Sequence, residues 1–132
     1  MEFKKNIVQT DKAPAAIGPY SQGVVFQDTC FFSGQIGIDP LTGNLVEGIN
    51  LQVNQIFKNI DALLNSLKIS RSHILKTTVF LTDLKNFSVI NESFEKYFES
   101  PYPARSTIEV SALPKGAAVE IEVIAALKNV QL

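Results

Sequence analysis

The sequence lacks the residues that build several common kinds of site. It contains a single cysteine, Cys30, and a single histidine, His73. One cysteine excludes an internal disulfide and favours a reducing compartment. The same counts exclude a zinc site made of several histidines or thiolates. We therefore expect no metal, a buried and inert thiol at Cys30, and a turn or packing role for His73.

An excess of one charge and a long apolar run are also absent. Twelve basic and thirteen acidic residues give a net charge of −1, which argues against a broad surface for nucleic acid or anionic membrane. The longest purely apolar run, residues 123–127, is far shorter than the roughly 20 residues of a membrane span. Residues 1–5 include two lysines, but no apolar stretch of a signal peptide follows them. We expect a cytoplasmic protein without a membrane or nucleic-acid partner.

The composition is that of a globular protein, with 45% hydrophobic and 19% charged residues. The 132 residues suit one domain covering 1–132, which is large enough to bury roughly two-thirds of its unfolded surface. The chain contains no internal repeat, low-complexity tract or linker.

Two segments have the apolar periodicity of helices. The first begins at Ile49 and continues to Leu67, with polar residues on the opposite side at Gln52, Gln55, Asn59 and Ser66. The second follows Asn86, a residue that can cap a helix, and ends before Pro101. Its apolar stripe consists of Ile90, Phe94, Tyr97 and Phe98.

The remaining β-branched and aromatic runs predict strands at 4–9, 23–28, 29–33, 74–81, 105–110 and 119–127. Runs 23–28 and 29–33 form a hairpin, and 74–81 is apolar on both faces, which is typical of a strand inside a sheet. The order of the elements predicts an α+β fold, a mixed β-sheet with two helices packed on one face. Strand 119–127 carries apolar residues on both faces, so self-association is the simplest way to cover the second face.

The last two strands carry the charges that point to chemistry. Glu120 and Glu122 share one face of the final strand, and Arg105, Thr107 and Glu109 share a face of the preceding one. If these strands pair, an arginine that binds an anionic substrate lies beside a carboxylate that acts as general base. An ordinary salt bridge on a solvated sheet face would produce the same pattern.

Two glycine-containing motifs are weaker candidates. The segment 18–22 offers the phenol of Tyr20 and a hydroxyl to a pocket, although a plain turn explains it as well. At 33–37, Gly34 would let a ligand approach the backbone closely. No lysine follows these glycines, so the segment fits no standard phosphate-binding motif.

Taken together, the motifs resemble the RidA/YjgF family of imine/enamine deaminases over residues 13–126. The matching stretches, in order, are Ala-Ile-Gly-Pro-Tyr-Ser-Gln at 16–22, Ser-Gly-Gln-Ile at 33–36, Asp-Pro-Leu-Thr-Gly at 39–43, Lys-Thr-Thr-Val-Phe-Leu-Thr-Asp-Leu at 76–84, Val-Ile-Asn-Glu-Ser-Phe-Glu-Lys-Tyr-Phe at 89–98, Pro-Ala-Arg-Ser at 103–106, Leu-Pro-Lys-Gly-Ala at 113–117 and Val-Glu-Ile-Glu at 119–122. The resemblance implies a chorismate-mutase-like (RidA-type) fold and a homotrimer. In that arrangement three sheets form a central barrel and the active sites lie in clefts between subunits.

The resemblance also implies a reaction and a set of site residues. The reaction is hydrolysis of 2-iminobutanoate and 2-iminopropanoate to 2-keto acids and ammonia, without metal or organic cofactor. Arg105 matches the arginine that binds the substrate carboxylate, and Glu120 matches the acid that positions the attacking water. Other substrate-binding matches are the side chains of Tyr20, Ser33 and Asn91 and the backbone at Gly34 and Thr107. Many members have cysteine at 107; because the contact there is through the backbone, we expect catalysis to survive threonine.

Two alternatives remain open at this point. One is a non-catalytic trimer that binds small carboxylates, which the presence of Arg105 disfavours. The other is an RNA-directed translation inhibitor or ribonuclease, which the net charge and the absence of a basic cluster disfavour.

Overall fold

A six-stranded sheet carries the two α-helices of the described chain. The computed structural model describes residues 4–128. The elements in chain order are β1 (Asn6–Val8), β2 (Gly23–Phe26), β3 (Thr29–Phe32), α1 (Ile49–Ser66), β4 (Ile74–Leu81), α2 (Phe87–Tyr97), β5 (Ala104–Glu109) and β6 (Val119–Ala126). Residues 1–3 and 129–132 lie outside this description. The start of the N-terminal segment and both ends of the domain predicted over 1–132 therefore fall outside the described residues.

The strand order across the sheet is β1-β2-β3-β6-β4-β5. Strand β5 runs parallel to β4, and the other neighbouring pairs are antiparallel. The sheet is therefore mixed and the fold is α+β, as predicted. The hairpin of β2 and β3 is confirmed, with a turn in which Gln27 takes a φ of 54°. Strand β4 lies between β6 and β5, which confirms its interior position.

Both helices pack on the same face of the sheet, which we call the helix face. It is formed by the fully buried alternate residues of the two inner strands, including Val79 and Leu81 of β4 and Val119 and Ile121 of β6. On α1 the apolar stripe is buried, with Val53, Ile56 and Leu63 at 0% exposure. On α2, the ring of Tyr97 stacks on Phe57 of α1 with centroids 3.8 Å apart. This packing confirms the prediction of two helices on one face.

The opposite face is left uncovered by the described part of the chain. The register places Ile7, Val24, Phe31 and Ile124 in one row, and Phe80 beside Ile108 in another. We call these six residues the open face. Ile7, Phe31 and Ile108 are each about half exposed. Because apolar area gains free energy when it leaves water, this surface is suited to contact with another copy of the chain, and the predicted trimer stays a prediction.

Some polar residues lie where the periodicity did not place them. Gln52 and Asn59 were predicted on the outer side of α1, but they are 5% and 1% exposed. This prediction was wrong because both amides hydrogen-bond backbone groups of neighbouring segments, which offsets the cost of burial. Asn86 occupies the N-cap position of α2 but forms no side-chain capping bond. Among residues 4–128, no helix has the length and apolar character needed to cross a bilayer.

Candidate active site

A cavity of about 840 Å³ opens beside the start of β6. Its walls come from the loop before β2, the segment that follows β3, and β6 itself. Four of the predicted site residues line it: Tyr20, Ser33, Gly34 and Glu120. Glu122 lines it too, because it lies two residues after Glu120 on the same side of the strand.

Backbone pairing holds the Ser33 segment against β6. Gln35 and Ile121 exchange two hydrogen bonds, Gln35 N to Ile121 O at 2.9 Å and Ile121 N to Gln35 O at 3.0 Å. The hydroxyl of Ser33 donates to the carbonyl of Ser21 at 2.6 Å. Since this bond uses the only hydroxyl hydrogen, the Ser33 oxygen can act toward a ligand as an acceptor.

Glu120 approaches the backbone at Gly34. A Cβ atom at position 34 would lie 2.7 Å from Glu120 Oε2 and 2.8 Å from Glu120 Cδ. No real side chain tolerates these distances, so glycine is required for the carboxylate to lie here. Burial raises the pKa of Glu120, and the nearby charge of Glu122 raises it further. The result is a carboxylate that accepts a proton more readily than an exposed glutamate does.

Arg105 lies in a different pocket, of about 400 Å³, against α2. Its Nη2 donates to Asn91 Oδ1 at 2.8 Å. The guanidinium also lies over the rings of Phe94 and Phe87, at 5.0 and 5.2 Å from their centroids. The ion pairs formed within residues 4–128 are Arg71–Asp61 and Lys128–Asp28, so Arg105 pairs with no carboxylate of the described chain. Its charge is therefore available for an external anion.

Thr107 follows Arg105 on the same face of β5, where it opposes Val79 of β4. Its hydroxyl is buried and is the one such side-chain atom in the described chain that has no hydrogen-bond partner.

The structure divides the predicted residues into two groups within one chain. The sequence left open whether β5 and β6 pair and so bring Arg105 and Glu120 together, and in the structure these strands do not pair. Strand β4 lies between them, with Thr77 opposite Arg105 and Phe80 opposite Glu120. Because successive strand residues alternate sides, Arg105 is on the helix face and Glu120 on the opposite one. The physical reason is that β5 returns from α2 to pair in parallel with β4, while β6 inserts between β3 and β4.

Sequence reasoning missed three buried amides that hold the cavity walls. Gln52 accepts a hydrogen bond from Ala118 N at 2.8 Å, two residues before Glu120. Asn59 donates to Ile38 O at 2.9 Å, and Gln22 bonds the loop before β2. For Gln52 and Asn59, one sequence feature could have predicted burial. Both lie beside the apolar stripe of α1, where a polar side chain can reach the backbone of a neighbouring segment.

Two other kinds of chemistry find no support in the described chain. Residues 4–128 hold no group of three or more histidine, cysteine or acidic side chains that could bind a metal ion. Cys30 is fully buried, which confirms its prediction as a buried thiol. Burial raises its pKa to about 12, so this thiol does not supply a thiolate near neutral pH.

Comparisons with known proteins agree over nearly the whole chain. The family model described as "Endoribonuclease L-PSP" matches residues 10–127. A RutC family protein of Aquifex aeolicus is 51% identical over 89% of this chain and 96% of its own length. The human 2-iminobutanoate/2-iminopropanoate deaminase is 43% identical over 92% of this chain and 89% of its own. The crystal structure of RidA from the Antarctic bacterium Psychrobacter sp. PAMC 21119 superposes with a TM-score of 0.89 at 48% identity, covering 92% and 98% of the two chains.

Proposed function

This chain belongs to the RidA/YjgF family, and on that basis we propose that it hydrolyses reactive 2-imino acids, such as 2-iminobutanoate and 2-iminopropanoate, to 2-keto acids and ammonia. Relatives of 43–46% identity carry the name of this deaminase or of Reactive Intermediate Deaminase A. The proposal extends their activity to this chain, as a single domain acting in the cytoplasm on small molecules. It assigns the chemistry to the residues described above.

The observation that carries the proposal is the separation of Arg105 from Glu120. One pocket offers a cation without a carboxylate partner, and the other offers a carboxylate of raised pKa. The Glu120 cavity has a cation of its own in Lys115, but it lacks the planar pair of donors with which a guanidinium binds a carboxylate. A second copy that brings its Arg105 pocket to the Glu120 cavity completes the site. We therefore place each active site between two subunits of a homotrimer, with the open faces turned toward a central barrel.

In this site Arg105 binds the carboxylate of the imino acid. A guanidinium presents planar pairs of donors that match a carboxylate. Asn91 occupies one hydrogen of Nη2, which fixes the orientation of the plane and leaves other donors for the substrate. The carboxylate so held places C2 of the imine toward the Glu120 cavity of the neighbouring subunit.

Glu120 then positions a water molecule and accepts a proton from it. The water oxygen forms a bond to C2 of the protonated imine, and the C=N π electrons pass to nitrogen, giving a carbinolamine. Glu120 returns the proton to that nitrogen, and the C–N bond breaks to release ammonia. As the carbonyl forms, Glu120 accepts the hydroxyl proton and passes it to the ammonia. The products are the 2-keto acid and ammonium. A protonated imine is already electrophilic, so the scheme uses no covalent nucleophile and no cofactor.

The remaining residues orient the substrate. The hydroxyl oxygen of Ser33 accepts a hydrogen bond from the iminium N–H, because its own hydrogen is donated to Ser21. Tyr20 closes the cavity with its exposed ring, and the backbone at Gly34 and Thr107 faces the ligand. Threonine at 107 is compatible with this backbone role.

The test is a coupled assay in which a threonine dehydratase generates 2-iminobutanoate. The wild-type protein should speed its hydrolysis, and Arg105→Ala and Glu120→Gln should each abolish the effect without changing the oligomer. Binding of 2-oxobutanoate without imine turnover would instead identify a binding protein.

Mixing the two inactive variants tests the shared site. After co-refolding at equal concentrations, the mixture should regain about one quarter of wild-type activity, since each site draws its Arg105 and its Glu120 from independent subunits. The double variant Arg105→Ala/Glu120→Gln, refolded alone, is the control and stays inactive. A mixture as inactive as its parents would contradict a site built from two subunits.

A further inference from the structure

We propose that Gln22 is a positioning residue: its buried side-chain amide holds the loop of residues 10–20, and with it Tyr20, against the cavity. The role in turnover rests on the proposed function; the role in holding the loop does not. Gln22 is 5% exposed and lies on the cavity wall, yet it takes no part in the chemistry outlined above.

The amide of Gln22 bonds both ends of a backbone turn. Its Nε2 donates to Thr10 O at 3.0 Å and to Pro14 O at 2.8 Å, and approaches Ala13 O at 3.5 Å. Its Oε1 accepts from Thr10 N at 2.8 Å. Two donor hydrogens and the acceptor oxygen are therefore all in use.

The loop has few other attachments to the protein. Among residues 4–128, every hydrogen bond that joins residues 10–20 to the rest of the chain goes to Gln22. The other bonds of this loop are internal, such as Ile17 N to the Tyr20 hydroxyl at 3.3 Å. Ala13 packs into the core at 2% exposure, which fixes one point. The hydrogen bonds that attach the loop to the rest of the chain therefore depend on Gln22.

This anchoring reaches the site in two directions. Tyr20 is 53% exposed, so its position follows from the path of the loop more than from packing around its ring. On the other side, the main-chain carbonyl of Gln22 accepts from Ser33 N at 3.0 Å. One residue therefore joins the wall that carries Tyr20 to the segment that carries Ser33.

The chemistry of the contact requires glutamine. Glutamate would put an oxygen where a donor now faces the carbonyls of Thr10 and Pro14, and methionine would leave those carbonyls without a partner. Asparagine keeps the amide but is one methylene too short to reach both ends of the turn.

The experiment compares Gln22→Met with a control on another side-chain amide, Asn54→Met. Asn54 is exposed on α1 and lines none of the described pockets. We expect Gln22→Met to raise KM for 2-iminobutanoate about tenfold with kcat within about twofold of wild type, while Asn54→Met leaves KM unchanged. Amide hydrogen exchange in a peptide covering 10–20 should accelerate about tenfold in Gln22→Met and not in the control variant. The exchange rates of peptides from α1 should stay the same in both variants.

Each outcome decides the matter. A folded Gln22→Met protein with wild-type KM and wild-type exchange in 10–20 overturns the proposal, as does a fall in kcat alone. If Gln22→Met does not fold, Gln22→Asn takes its place under the same criteria. If the wild type hydrolyses no imine, the proposed function fails. The exchange rates, and a tenfold loss of 2-oxobutanoate binding, still decide the role of Gln22.

Discussion

Arg105 and Glu120 face opposite sides of one sheet, with only strand β4 between the strands that carry them. No side-chain movement within a subunit can bring the two charges together across a packed sheet. Under the function proposed here, activity is therefore a property of the assembly, and the surfaces that join subunits matter as much as the site.

Assembly depends on the open face. Phe31 is about half exposed on β3 and lies between Val24 and Ile124 in the longer row of the open face. Phe31→Asp would therefore place a charge in an apolar contact. We expect this variant to sediment at the 14.5 kDa of one chain and to lose imine hydrolysis, whereas the wild type sediments at three times that mass. Analytical ultracentrifugation measures both.

The control for assembly is Leu51→Asp. Leu51 is 59% exposed on the outer side of α1, so the same charge there should leave the mass and activity unchanged. A trimeric Phe31→Asp protein would show that the open face is not the contact surface.

The contact between Gly34 and Glu120 makes position 34 intolerant of a side chain. Gly34→Ala places a methyl group 2.7 Å from Glu120 Oε2 and must displace the carboxylate. Displacement of a catalytic group by about 1 Å commonly costs about a hundredfold in rate, and we expect that loss in kcat/KM. Because Gly34 is exposed, the melting temperature should change little.

A double-variant cycle separates this effect from general damage. In the Glu120→Ala background, where no carboxylate is left to displace, Gly34→Ala should leave the affinity for 2-oxobutanoate unchanged. A loss of affinity in that background would mean that Gly34 acts on something other than the carboxylate.

The raised pKa of Glu120 predicts the acid side of the pH profile. Burial first, and Glu122 second, raise this pKa, so the base form is lost at a higher pH than for an exposed glutamate, whose pKa is about 4.3. As pH falls through the raised value, kcat should decline. Glu122→Gln removes the second cause and should move the decline to lower pH.

Glu92→Gln is the control for the pH profile. It removes the same unit of charge from an exposed position of α2, where it should not move the profile. A shift to higher pH in Glu122→Gln, or an equal shift in both variants, would refute the coupling between Glu122 and Glu120.

A hydrogen-bond network around the buried ring of Tyr97, away from the cavity, should affect stability alone. The Tyr97 hydroxyl donates to Asp61 Oδ1 at 2.6 Å, and Arg71 bonds both oxygens of the same carboxylate at 3.1 and 2.8 Å. Tyr97→Phe removes a hydrogen bond to a charged acceptor and should lower the free energy of unfolding by about 2 kcal/mol, measured by urea denaturation.

Tyr102→Phe is the matched control because its ring is 55% exposed, and its unfolding free energy should stay within about 0.5 kcal/mol of wild type. Equal stability of Tyr97→Phe and wild type would show that the network contributes nothing.

Local sequence signals predicted most elements because each depends on neighbouring residues. The stripe from Ile49 to Leu67 became α1, which ends at Ser66, and the run 74–81 became β4 with the same bounds. The first strand was predicted over 4–9, but it covers only Asn6–Val8, because few residues of that segment find a ladder partner on β2.

Strand pairing is the part that local pattern does not encode. Arg105 and Glu120 lie on strands consecutive in sequence, and nothing in either run indicates that β4 separates them. Their charges indicated a functional role, because burying a charge on an apolar strand is costly. The face of the sheet on which each side chain lies depends on the order of all the strands. Gln22 and Gln52 were missed for a related reason, since their partners are backbone groups 8 to 66 residues away.

Because Cys30 is enclosed, the rate at which its thiol is labelled can report how often the folded chain opens. The sequence contains no other sulfur nucleophile, and this one has 0% exposure in β3. A maleimide or disulfide reagent can react only after that hairpin separates from its neighbours, so the rate of labelling counts opening events of the sheet. Intact-mass measurement of the labelled, purified protein would therefore follow opening of the sheet at a single site.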